Sequence, residues 1–308
     1  MQAKEKSNIK EDSEKKAQLL SKASLAFSMT VFGTIGIFVR SIELPSSFVA
    51  MTRGFLGVLF LLAFKLARRQ KVSLSAVKSN IRLLFASGAA IGVNWILLFE
   101  SYNYTSVATA TLCYYLAPIF VTVASPFVLK EKLSAKKLCC VLCALFGMVF
   151  VSGVFENGGV KAGELKGILL GTGAAAFYAA VMLLNKKLHG IADTDRTIMQ
   201  LLFASLTVTP YVLLTENVAS FEYGTKTVLL LLTVGIIHTG FSYTLFFGSV
   251  GRLPAQTTAL FSYIDPVVAI LLSALLLKEK LVLFDIIGAV MILGSTLVSE
   301  INFKRERK

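Results

Sequence analysis

The feature that most limits what this chain can fold into is a series of apolar runs about twenty residues long. A helix rises 1.5 Å per residue and must cross a hydrocarbon core of about 30 Å, so each run has the length of a membrane span. Ten spans are read, at roughly 22–42, 46–66, 81–102, 105–129, 136–154, 165–187, 196–215, 226–248, 253–277 and 282–300. The runs are long and do not alternate, which selects helices over barrel strands. Charged residues make up only 16% of the chain, apolar residues 55%, and mean hydropathy is +0.72. Such a chain is neither disordered nor able to hide its apolar surface as an ordinary soluble globule. The fold class expected is therefore an all-α polytopic membrane protein.

The formal charge of +13 would suggest nucleic acid as a partner on a soluble fold. Here its distribution records orientation instead. With the N-terminus placed in the cytoplasm, 24 of the 31 Lys and Arg residues fall on the cytoplasmic side. Six fall outside, namely Arg40, Lys161, Lys166, Lys226, Lys278 and Lys280, and Arg53 remains inside the second span. Both termini are expected to be cytoplasmic, in a multi-pass protein of the cytoplasmic (inner) membrane. The polar stretch before the first span does not resemble a cleavable signal and reads as a solvated tail or frayed helix.

An internal repeat divides the chain. Segment 99–133 aligns without a gap on segment 247–281 at an offset of 148, with 12 of 35 positions identical. Tyr115 aligns with Tyr263, Pro118 with Pro266, and the run LKEKL recurs whole. Each half then holds five spans. Five is odd, so the second half is expected upside down relative to the first, an arrangement that puts a substrate site at the interface of the halves near the bilayer midplane. The expected organisation is a polar tail (1–21), a first five-helix repeat (22–154), an outer linker (155–164), a second repeat (165–300) and a basic tail (301–308).

These features resemble the EamA family of the drug/metabolite transporter superfamily. The pattern that carries the resemblance is a mid-span proline, then Glu-Lys-Leu, then a last helix, present as Pro118…Glu131-Lys132-Leu133 and Pro266…Glu279-Lys280-Leu281. Where the second half has Gly288 in its last helix, the first has Cys140. The resemblance implies alternating-access transport of small metabolites such as amino acids, with no cofactor. The first and sixth spans contain no Asp or Glu, unlike small multidrug-resistance relatives, which argues against cationic drug antiport of that kind.

Ionisable groups at membrane depth cost about 2.5–3.5 kcal/mol on insertion scales, so each calls for a reason. Asp265 lies mid-span directly before Pro266, where a proline frees a backbone carbonyl and kinks or breaks the helix. Its carboxyl could bind a substrate amine, carry a coupling proton, or only satisfy the kink; its repeat mate is Ala117. His238, mid-span in 226–248, suits a proton relay with Asp265 or a neutral bond to a neighbouring helix. Arg53 could pair with Glu100, meet a substrate carboxylate, or snorkel. Asn94, Trp95, Tyr114, Tyr115, Tyr178 and Tyr263 could converge on a midplane cavity or serve interhelical hydrogen bonds. Pro118 and Pro266 are the expected hinges. Gly167 and Gly171 read as a close-packing pair rather than a phosphate loop. The four cysteines suit packing, and no metal site is expected.

The function expected is secondary transport of small organic metabolites, with amino-acid-like compounds and export favoured and a proton as the simplest coupling ion. A lipid-linked sugar flippase is the alternative on the same fold. An integral-membrane lipid-modifying enzyme is disfavoured, because neither G-x-S-x-G nor H-E-x-x-H occurs. Partners are then the lipid bilayer, the substrate and a possible second copy in a homodimer, with no nucleic acid.

Overall fold

The computed structural model describes residues 2–105, 110, 113–151, 165–276 and 283–300. The elements are α1 (Gln2–Arg40), α2 (Ser46–Ala67), α3 (Leu74–Ser101), α4 (Ala117–Leu129), α5 (Ala135–Val151) and α6 (Leu165–Asn185). They continue with α7 (Asp193–Thr215), α8 (Thr225–Arg252), α9 (Ala255–Phe261), α10 (Ile264–Leu276) and α11 (Leu283–Glu300). Six of the described helices are long and apolar enough to cross a membrane, and shorter apolar helices accompany them. The polar leading stretch and the first span form one continuous helix, α1. Helix α3 begins before its apolar run, where the Ser73 hydroxyl accepts from the Ala76 amide at 3.4 Å and the polar first turns extend the helix beyond its apolar run.

Large apolar side chains lie on the outside as well as in the core. Leu66, Phe127, Phe146, Leu214, Leu275 and Val290 are exposed, whereas Ser87, Asn94, Thr122, Ser125, Gln200 and Thr239 are buried. An apolar rim suits lipid, and the small polar residues inside link helices: the Gln200 amide donates to the Ser87 hydroxyl at 2.7 Å, joining α7 to α3. Most packing joins the first half of the chain to the second. Helix α3 lies against α6 and α7, α2 against α7 and α8, α1 against α8 and α10, α4 against α6 and α9, and α5 against α11. The glycine pair in α6 permits one such approach. A Cβ at Gly167 would stand 2.6 Å from the Thr105 methyl, and one at Gly171 3.1 Å from the Ala110 carbonyl.

Two of the expected long spans are interrupted. The chain turns at Tyr115 and Leu116 before α4, and at Ser262 and Tyr263 between α9 and α10. Both turns stand just before a proline, Pro118 or Pro266, whose missing N–H cannot extend the ladder. Helix α8 is wound more widely over Val234–Phe241. There Thr239 and Ser242 return their hydroxyls to the carbonyls five residues back, of Val234 and Ile237, both at 2.9 Å.

The end of the bundle that carries the first LKEKL run is tied by charge. The buried Lys65 ammonium of α2 pairs with the buried Asp195 carboxylate of α7, which also accepts the Ser73 amide at 3.0 Å. Arg252 of α8 holds Asp193 at 2.5 Å, and Arg196 donates to the Phe247 carbonyl at 2.8 Å. Glu131 accepts the Ala255 amide at 3.3 Å and stands 3.9 Å from Lys186. Removing one member of a buried pair strands the other charge, at a cost of about 3–5 kcal/mol. Asp195→Ala is therefore expected to lower the thermal unfolding midpoint of the purified protein in detergent by several degrees, while Arg252→Ala, at an exposed pair, leaves it nearly unchanged.

Candidate functional site

The two broken spans meet at the centre of the bundle. Tyr115 and Tyr263 face each other with ring centroids 6.0 Å apart, and the Tyr263 hydroxyl donates to the Tyr115 carbonyl at 3.0 Å. Asp265 follows in the first turn of α10. Among the described residues no cation pairs with its carboxyl. Helix α1 seals this point from the other side: a Cβ at Gly33 would lie 2.6 Å from the Asp265 carbonyl, so only glycine lets α1 come this close.

From Tyr115 an aromatic wall runs across the interface of the halves. Tyr114 touches Tyr115 at 5.9 Å and stacks on Tyr178 of α6 at 5.5 Å. Tyr178 stacks on Phe246 of α8 at 6.3 Å, and Phe246 meets Tyr243 at 6.4 Å. Tyr243 closes the wall edge-on against Trp95 of α3 at 6.5 Å and against Phe32 of α1 at 5.0 Å. Polar groups interleave with the rings. Buried Asn94 and Ser262 adjoin Trp95 and Tyr263 in the chain. The Asn94 amide is also committed to structure, donating to the Ala174 carbonyl of α6 at 2.6 Å.

A cation stands at the far end of the wall. The Arg53 guanidinium of α2 lies over the Trp95 ring, 4.6 Å from its centroid, and its buried Nε has no acceptor. The expected pairing of Arg53 with Glu100 is not formed. Glu100 instead accepts from the Tyr211 hydroxyl of α7 and from Asn103 at 3.4 Å, because its place at the end of α3 turns it towards α7. Among the described residues, the aromatic wall thus has a carboxyl without an ion-pair partner at one end and a guanidinium without one at the other. Tyr243 lies within electrostatic range of both.

His238 sits in the wide turn of α8, where its Nε2 shares a hydrogen bond of 2.8 Å with the Thr34 hydroxyl of α1 and its ring meets Phe38 at 4.9 Å. Its charged neighbour is Arg53, and its ring is bonded to α1, so no direct partnership with Asp265 is formed. Among the described residues no group of His, Cys, Asp and Glu could hold a metal ion. Tyr243, Phe246, Phe32 and Ser262 were not singled out from the sequence. Tyr243 lies five residues beyond His238, a spacing that puts two residues on different faces of a regular α-helix, and the wide turn removes that regularity.

A sequence model of the EamA-like transporter family matches this chain twice, over residues 21–153 and 165–300. The chain belongs to the EamA-like transporter family. It is 30% identical over 270 residues to the uncharacterized transporter YxxF of Bacillus subtilis (strain 168), covering 87% of this chain and 85% of that one. It is 25% identical over 266 residues to the uncharacterized transporter YoaV of the same organism, covering 86% and 90%. A solved crystal structure superimposes with a TM-score of 0.81 over 91% of this chain and 97% of the other, at 17% identity, which shows a shared fold. This EamA-family chain is accordingly a multi-pass membrane transporter.

Gly33→Val is expected to leave the helix content in circular dichroism unchanged while separating α1 from the break at Asp265. The ligand-induced rise in unfolding temperature, which follows from binding to the native state alone, should then be lost. A retained ligand shift would show that the contact of α1 with the break does not shape the site.

Proposed function

We propose that this chain is a secondary transporter of amino-acid-like zwitterions, working by alternating access between two inverted halves and favouring export. The observation that carries this reading is the pair of unpaired opposite charges on one aromatic wall, Asp265 beside Tyr115 and Arg53 over Trp95. An unpaired charge at membrane depth is costly and marks substrate or ion pathways. Asp265 offers a place for an ammonium group and Arg53 one for a carboxylate, at opposite ends of the wall. The Arg53 fork suits a planar carboxylate. The intervening tyrosines and phenylalanine offer apolar contact for a side chain and a few hydroxyls for orientation.

In this reading the two halves rock about the breaks before Pro118 and Pro266, exposing the wall to one face and then the other. The charge-tied basic end is the side that must open to admit a cytoplasmic substrate. When no ligand is bound, a proton on Asp265 keeps the carboxyl neutral, which couples transport to a proton gradient in the simplest way. The same groups would serve a lipid-linked sugar flippase less well, since a diphosphate headgroup would meet the Asp265 carboxyl.

Counterflow of radiolabelled amino acids into proteoliposomes is the deciding measurement. Asp265→Asn and Arg53→Gln should each reduce counterflow at least tenfold, and Arg53→Lys should recover only part of the loss because it keeps the charge without the fork. Wild-type rates for both variants would remove the two charges from the substrate site.

A further inference from the structure

Helices α2 and α8 end at the same face of the bundle. Lys65, near the end of α2, and Arg252, at the end of α8, both pair with the first turn of α7, through Asp195 and Asp193. Just inside that end a groove of about 400 Å³ opens between the two helices. Phe60, Leu61 and Phe64 of α2 form one side, Phe241 and Leu245 of α8 the other, and Thr194 of α7 stands at its head. Phe64 and Phe241 are exposed on the flank of the bundle, the surface that a membrane protein turns to lipid. The charges at the head of the groove do not balance. Two guanidiniums share one carboxylate, since Asp193 lies 2.5 Å from Arg252 and 3.3 Å from Arg196. The buried Nε of Arg196 has no acceptor, and Arg252 is more than half exposed. A third guanidinium, that of Arg68 at the end of α2, lies over the Phe64 ring, 4.6 Å from its centroid. No carboxylate pairs with Arg68 among the described residues.

We propose that this groove binds one anionic phospholipid, with an acyl chain along Phe64, Phe241 and Leu245 and the phosphate between Arg252 and Arg68. The depths agree. Phe64 precedes Arg68 by four residues and Leu245 precedes Arg252 by seven, which at the helical rise is about 6 and about 10 Å. The apolar wall thus lies one to two turns beneath a cationic rim, as an acyl chain lies beneath its phosphate. Wall and rim are also continuous, because the ring under the Arg68 guanidinium is itself part of the groove. That continuity selects a lipid over a free anion. Three guanidiniums against one carboxylate leave the rim with excess positive charge, which selects a lipid of net negative charge over a zwitterionic one. The bound lipid bridges the ends of α2 and α8, and the site does not depend on what the aromatic wall transports.

Quenching of tryptophan fluorescence by brominated lipid tests the site in the full-length protein. The chain has a single tryptophan, the buried Trp95, whose signal is subtracted with the wild-type protein. Phe241→Trp places a reporter in the groove, and Phe146→Trp places one on the exposed flank of α5. Each protein is reconstituted in phosphatidylcholine vesicles containing a minor fraction of brominated phosphatidylglycerol or, in parallel, brominated phosphatidylcholine with the same chains. The groove reporter should favour the brominated phosphatidylglycerol at least about fivefold, the attraction expected of one basic residue near an anionic lipid. The α5 reporter should not discriminate between them. Added to Phe241→Trp, Arg252→Gln and Arg68→Gln should each lower the preference about fivefold. Arg252→Lys keeps the charge and should keep the preference; a loss equal to that of Arg252→Gln would trace the effect to packing and overturn the site. An equal preference at both reporters would show general enrichment of anionic lipid around the protein and overturn it. So would a preference that either glutamine variant keeps in full. A preference abolished by inorganic phosphate, but kept in sodium chloride of the same ionic strength, would assign the rim to a free anion and overturn the lipid.

Discussion

A carbonyl stranded inside hydrocarbon has no water to turn to, and the centre of this protein is arranged around two prolines that strand carbonyls. Breaking a membrane helix is tolerable only where protein, and not lipid, receives the freed groups. That requirement alone brings the breaks before Pro118 and Pro266 together at the interface of the halves, where the Tyr263 hydroxyl serves the Tyr115 carbonyl. It also demands a neighbour without a side chain at the same depth, which Gly33 provides against the Asp265 backbone. The site is therefore a consequence of how the fold satisfies its own backbone. Among the described residues the breaks put turn backbone inside two apolar spans.

Much of this was legible in the residues. The apolar runs mark the helices because hydrocarbon admits almost nothing else, and the two broken spans could be placed from Pro118 and Pro266. The offset of 148 carried the pairing of Tyr115 with Tyr263, although not that one would bond the backbone of the other. What stayed hidden was the rotation of side chains about each helix. Arg53 and Glu100 were compatible by depth, yet α2 turns Arg53 towards Trp95 and α3 turns Glu100 towards Tyr211. Depth along the membrane normal is written in sequence position, while azimuth depends on packing. Tyr243 escaped for the same reason, compounded by the wide turn of α8, which changes the angle per residue at the point where it matters.

The wide turn has its own physical cause. Helix α2 presses closely on α8 there, with Leu56 against Gly235 and with the Gly57 carbonyl and Phe60 against Gly240. Two glycines let the backbones approach, and the hydroxyls of Thr239 and Ser242 add acceptor bonds to the Val234 and Ile237 carbonyls of the widened turn. The same approach places His238, bonded to Thr34, in electrostatic range of Arg53. Arg53 is thus held over the Trp95 ring, and no carboxylate pairs with it among the described residues. A desolvated cation–π contact contributes about 2 kcal/mol or more, against about 2.5–3.5 kcal/mol for placing the charge at membrane depth on insertion scales.

The two halves descend from one pattern but have diverged where charge is concerned. Aligned positions retain the proline, the tyrosine before it and the LKEKL run. Asp265 and Ala117 differ, and so do Ser262 and Tyr114. A symmetric site would place two carboxyls at the junction of the breaks, where like charges in low dielectric would oppose each other. With one carboxyl, the junction has a single group to neutralise. The one bond observed between the tyrosines, from the Tyr263 hydroxyl to the Tyr115 carbonyl, thus stands next to a carboxyl that only one repeat carries.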